Sequence, residues 1–70
     1  STTQSVGSVG DVYLRIPAGQ GQQGKVMVSV AGSLHELAAQ SADGSELPTG
    51  CKVRVVDAVD NLTVSVQRLA

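Results

Sequence analysis

The chain has 70 residues, a formal charge of −1 and a single cysteine. That length makes one small domain, which buries only about 60% of the surface its unfolded chain exposes. One cysteine excludes an internal disulfide scaffold. Five basic residues scattered among six acidic ones build no basic face, so electrostatic capture of nucleic acid has no footprint and no nucleic-acid partner is expected.

Twelve valines, one tyrosine, no phenylalanine and no tryptophan describe a core of branched aliphatic side chains. Such residues favour an extended, pleated backbone. The glycines and prolines fall between the valine-rich runs, as turns between short strands require. No apolar run approaches the roughly 20 residues that cross a bilayer as a helix. The chain opens on Ser-Thr-Thr-Gln without a methionine and reads as a fragment of a longer protein.

In chain order, residues 1–8 are small and polar and predict a flexible N-terminal segment, leaving 9–70 as the folded domain. From Val9 to Ile16 apolar and polar residues alternate. A first strand would therefore point Val12, Leu14 and Ile16 inward, and Asp11, Tyr13 and Arg15 outward. Pro17 to Gly24 is a glycine-rich loop. Lys25 to Val30 is a second strand with Val26, Val28 and Val30 inward and Lys25 and Met27 outward. Ala31-Gly32-Ser33 makes a tight turn into a third strand, Leu34 to Gln40, with Leu37 and Ala39 inward; its small residues suit a sheet edge or a place where barrel walls approach.

Ser41 to Gly50 is the longest connection. It carries Asp43-Gly44 and Pro48-Thr49-Gly50 turn signals and lacks helical periodicity, and Leu47 is its expected anchor in the core. The last two strands form a hairpin through Asp60-Asn61. Val53 and Val55 face inward before the turn; Leu62, Val64 and Val66 face inward after it, opposite Thr63, Ser65 and Gln67. Over Val55-Val56-Asp57-Ala58-Val59 the alternation slips by one residue, which predicts a β-bulge. The fold class that follows is all-β: a small five-stranded Greek-key barrel of the OB type, with an SH3-like barrel as the competing arrangement.

Chemistry-bearing residues are sparse. His35 is the only histidine, and its neighbour Glu36 points to the opposite face of the strand. Cys51 has no nearby base in sequence and reads as a small, partly buried residue. A metal site would need more nitrogen and sulfur ligands than the chain holds. Asp57 and Asp60 stand at the bulge and the turn, where short carboxylates cap backbone amides. Gly19-Gln20-Gly21-Gln22-Gln23-Gly24 has the outline of a phosphate-cradling string but precedes a strand, not a helix. No catalytic, cofactor-binding or metal-binding residue is assigned. Tyr13, Arg15, Lys25, Met27 and Arg54, on the outer faces of strands one, two and four, form the candidate interaction surface. An oligonucleotide-binding barrel is the alternative use of that surface, although stacking of single strands ordinarily employs several aromatics.

The segments Val9-Gly10-Asp11-Val12-Tyr13-Leu14-Arg15-Ile16-Pro17-Ala18-Gly19, Gly24-Lys25-Val26, Leu37-Ala38-Ala39 and Leu47-Pro48-Thr49-Gly50, with Val53, Val55 and Val56, resemble the C-terminal domain of NfeD-like proteins. Ser41 and Gly44 stand at the serine and glycine of that family's Ser-x-x-Gly loop. The long Gln20–Gln23 segment and Cys51 depart from its pattern. The resemblance implies an OB barrel that is the soluble domain of a membrane-anchored protein, in a bacterial cell membrane. It also implies a stomatin- or flotillin-like (SPFH-type) scaffold as partner and a role in regulating membrane protease activity. Some longer relatives carry a ClpP-type serine protease domain; nothing in this chain matches its catalytic residues. The family offers no catalytic residue for this domain, so the resemblance implies a non-enzymatic protein-interaction module. An accessory domain that feeds substrate to a protease elsewhere in the same chain or operon is a further possibility the resemblance opens.

Overall fold

The computed structural model describes residues 1–70. Five strands are present: β1 (Val9–Leu14), β2 (Gln23–Val30), β3 (Ser33–Ser41), β4 (Lys52–Ala58) and β5 (Thr63–Arg68). They close into a barrel in the order β1-β2-β3-β5-β4, with β4 returning to β1. All seams are antiparallel except β3–β5, which is parallel from Ala38–Thr63 to Ser41–Val66. That crossed, parallel seam is the OB arrangement and sets aside the SH3-like alternative.

Period-two alternation delivers the core. Val12, Val26, Val28, Val53, Val55, Val64 and Val66 are buried with Ile16, Ala39 and Leu47, and Val30, Leu37 and Cys51 pack against them from the rim. β-Branched side chains hold few rotamers in a strand, so they fill so narrow a barrel at little entropic cost. Ala39 lies on the β3–β5 seam opposite Val64, where a small side chain lets the walls approach.

Two bulges shape the barrel. Val56 is the extra residue on β4, between the Val55–Val66 and Asp57–Ser65 pairs, as the slipped alternation predicts. A second bulge, between Val12 and Leu14 on β1, is not anticipated by the alternation. It sets both Tyr13 and Leu14 against Lys25, which turns Leu14 outward to 53% exposure; Ile16 recovers the inward direction. The inward expectation for Leu14 is thus corrected. So is that for Leu62, which is 76% exposed: the Asp60 carboxylate accepts its N–H at 2.8 Å and holds it in the turn, and β5 begins only at Thr63. Thr63, expected outward, is buried.

The two mouths of the barrel are closed differently. At one, Leu47 reaches in from the β3–β4 connection and pairs with Ile16. At the other, the N-terminal residues form a 3-10 turn, Thr2–Ser5, where the sequence predicts a flexible segment. Thr2 and Ser5 are buried there; the Thr2 hydroxyl donates to the Asp60 carbonyl and the Ser5 hydroxyl to the Thr2 carbonyl at 2.6 Å. Gly7 N–H donating to Val55, and Val55 N–H donating to Ser8, carry the β1–β4 ladder up to this turn. Hydroxyls that satisfy buried carbonyls let a polar stretch seal an apolar barrel end.

Candidate interaction surface

The strand register decides what the five outward candidates do. On β2, Lys25 lies between Leu14 on β1 and Ala38 on β3, and Met27 between Asp11 and Glu36. Tyr13, at the β1 bulge, is 60% exposed. Arg54 on β4 sits across β1 from this group, opposite Val9 on one side and Gln67 on the other. Arg15 follows β1 toward the Leu47 mouth. One continuous wall, β2-β1-β4, therefore carries Tyr13, Lys25, Met27 and Arg54, with Arg15 at its margin.

Its charges are largely matched. Lys25 pairs with Glu36 at 3.2 Å, Arg15 with Glu46 at 3.4 Å, and Lys52 with Asp11 directly across the β1–β4 seam. The Arg54 guanidinium donates to the Gly7 carbonyl at 2.8 Å. Each ion pair is about half exposed and contributes roughly 0–1 kcal/mol. The paired charges around Tyr13, Leu14 and Met27 leave a mixed surface without a positive field. Asp11, Leu14 and Lys52 share the wall with the five outward candidates, and Glu36 on β3 and Glu46 in the β3–β4 connection flank it as ion-pair partners. Opposite charges at outward positions were the available signal, but assigning partners requires the register.

On β2 and β3 the outward residues Gln23, Lys25, Met27, Ser29, Leu34, Glu36, Ala38 and Gln40 include no aromatic, and Lys25 is engaged by Glu36; Tyr13 on β1 is the one aromatic of the wall. Stacking readout needs flat π-faces beside free cations.

The chemistry-bearing residues stay apart. Cys51 lies at the Leu47 mouth, where its carbonyl accepts from Val12, whereas His35 lies at the opposite end near the β2–β3 turn. No group of three or more His, Cys, Asp or Glu side chains stands close enough to hold a metal ion. The carboxylates cap backbone, as their positions predict: Asp57 accepts from Ala58 N–H at 2.9 Å and Asp60 from Leu62 N–H. The Leu62 amide holds Asp60 below the ordinary carboxylate range. Asp43 accepts from the Ser45 hydroxyl at 2.7 Å, the Ser45 N–H at 3.0 Å and the Ser41 hydroxyl at 3.0 Å. Those donors, the Ser45 hydroxyl foremost, lower its pKa to about 2.

A cleft of about 190 Å³ opens between the Thr2–Ser5 turn, the Asn61 turn and the inner side of the β2–β3 arm, where Val30, His35 and Leu37 line it. His35 is exposed, yet it stands opposite Val28 and so shares the inward face of β3 beyond the point where β5 begins. Its lining is hydroxyls, amides and aliphatic groups, with the imidazole the one side chain suited to proton transfer.

The closed strand order and the parallel β3–β5 seam define a small OB barrel. The profile of the NfeD C-terminal domain matches residues 7–67, and the chain belongs to that family. Two solved structures are similar. The soluble domain of the NfeD protein YuaF from Bacillus subtilis is 29% identical, with a TM-score of 0.75 over 89% of this chain and 70% of that one. The C-terminal domain of stomatin operon partner protein 1510-C from Pyrococcus horikoshii is 33% identical, with a TM-score of 0.66 over 94% of this chain and 89% of that one. No curated protein sequence matches the chain. No helix is long and apolar enough to cross a membrane.

Proposed function

We propose that this domain is a non-catalytic interaction module of a membrane-anchored NfeD-type protein, which docks a stomatin- or flotillin-like scaffold and through it takes part in regulating membrane protease activity. The observation that carries the reading is the likeness to the C-terminal domain of a stomatin operon partner protein, at 33% identity across 94% of this chain. The physical support is the wall bearing Tyr13, Arg15, Lys25, Met27 and Arg54. Apolar and aromatic groups there sit among paired charges, a mixture typical of interfaces that form and release. The test is an amide NMR titration with the soluble domain of a stomatin-like protein from the same organism. Saturable shifts confined to β1, β2 and β4 are the expected result. An unchanged spectrum at excess partner, or shifts confined to the two barrel mouths, would refute the assignment of this wall.

A further inference from the structure

The β2–β3 arm carries an unused pairing edge, and this inference is independent of the scaffold-docking reading. β3 pairs with β2 from Ser33 to Gln40, but β5 joins its other side only at Ala38. Residues 33–37 thus have a neighbour on one side alone. Ala31 and Gly32 form a two-residue turn with φ of 50° and 82°, flanked by the Val30–Ser33 pair. In such a hairpin the flanking pair is hydrogen-bonded and the bonding alternates along the ladder. His35 and Leu37 therefore bond to β2, while the N–H and C=O of Leu34 and Glu36 point away from it, toward the open side.

We propose that this edge pairs with the same edge of a second copy, in an antiparallel twofold arrangement centred on His35. Placing Leu34 against the partner copy's Glu36, and Glu36 against its Leu34, satisfies all the open groups with four main-chain bonds. Sliding by two residues in either direction makes only half as many. One slide sends Glu36 against the Gly32 turn; the other brings the two Glu36 carboxylates together and runs into Ala38, already taken by β5. The side chains agree with the central register. Leu34, 68% exposed, becomes a diagonal neighbour of its own copy on the outer face, within reach across a strand pair. In this register Gly32 comes level with the other copy's Ala38, where Thr63 begins β5, so the hairpin tip turns aside there; Ala31-Gly32 offers nothing bulkier than a methyl group to obstruct it. An exposed apolar residue on an unpaired edge is otherwise a liability.

Sedimentation equilibrium of the chain up to about 1 mM tests this. The expected result is a concentration-dependent dimer whose Kd weakens at least tenfold in Leu34→Glu, an exposed position that leaves the barrel intact and sets like charges across the seam. The central His35 pair would be a non-bonded pair with Cα atoms about 4.5 Å apart, within disulfide range. His35→Cys is therefore expected to give a 35–35 crosslinked dimer under mild oxidation, identified by peptide mapping against Cys51. A chain that remains monomeric at about 1 mM, a dimer indifferent to Leu34→Glu, or a His35→Cys protein that dimerises without a 35–35 bond would each overturn the proposal.

Discussion

Ile16 and Leu47, thirty-one positions apart in the chain, exchange two main-chain hydrogen bonds of 3.0 Å each and are both fully buried. They close the barrel mouth opposite the Thr2–Ser5 turn. Leu47→Ala would leave a void beneath the long β3–β4 connection and remove its anchor. A loss of about 2–5 kcal/mol is expected from urea unfolding, with the amides of Ile16 and Leu47 exchanging faster than those of β2.

Gly10 and Gly24 stand where strands touch. A β-carbon at Gly10 would lie 2.1 Å from the Met27 carbonyl oxygen, and one at Gly24 would lie 2.3 Å from the carbonyl oxygens of both Leu14 and Arg15. Backbone atoms cannot swing aside, so Gly10→Ala and Gly24→Ala should each lose at least roughly 1–3 kcal/mol from crowding alone. Gly21 has φ +73° and open space around it; there alanine meets only left-handed strain of about 1–2 kcal/mol. Thermal melts of the three variants should place Gly21→Ala nearest the parent.

The β4 bulge makes neighbouring valines unequal. Val55 is 1% exposed and Val56 is 39% exposed. Val55→Asp would bury an unpaired carboxylate, costing on the order of 4 kcal/mol or more. The whole domain, at roughly 0.05–0.15 kcal/mol per residue, has about 4–10 kcal/mol to lose. Circular dichroism should show Val55→Asp unfolded and Val56→Asp folded, with a midpoint close to the parent's. Equal melting of the two would contradict the bulge.

Asp43 links stability to acid. Its folded pKa of about 2 lies below the ordinary 3.8, so the unfolded chain takes up the proton first as pH falls. The stabilisation it provides is complete above 3.8 and disappears as pH drops toward about 2. Asp43→Asn keeps the shape and removes the charge. The stability difference between parent and variant, measured by urea titration, should be constant near neutrality and narrow across that acid window. A difference independent of pH would mean the Ser41 and Ser45 donors do not favour the carboxylate.

Alternation of apolar and polar residues determined the strands, most of the inward set and the β4 bulge, because a side-chain period of two is a property of each extended segment by itself. The capping aspartates were legible for a similar reason, since their roles arise from local turn chemistry; Leu47 was legible as an anchor because it is the one large apolar side chain of the 41–50 connection, although its partner Ile16 was not. The candidate interaction wall was legible only as a set of outward residues; its ion pairs depend on which strand lies opposite which. The tertiary structure decided the parallel β3–β5 seam, the bulge that turns Leu14 outward, the exposure of Leu62 and the burial of Thr2 and Ser5. Each of these depends on a partner distant in the chain, as when the Thr2 hydroxyl finds the Asp60 carbonyl 58 positions away. No local pattern records the length of a neighbouring strand, and it is the late start of β5 that leaves the Leu34–Glu36 edge open.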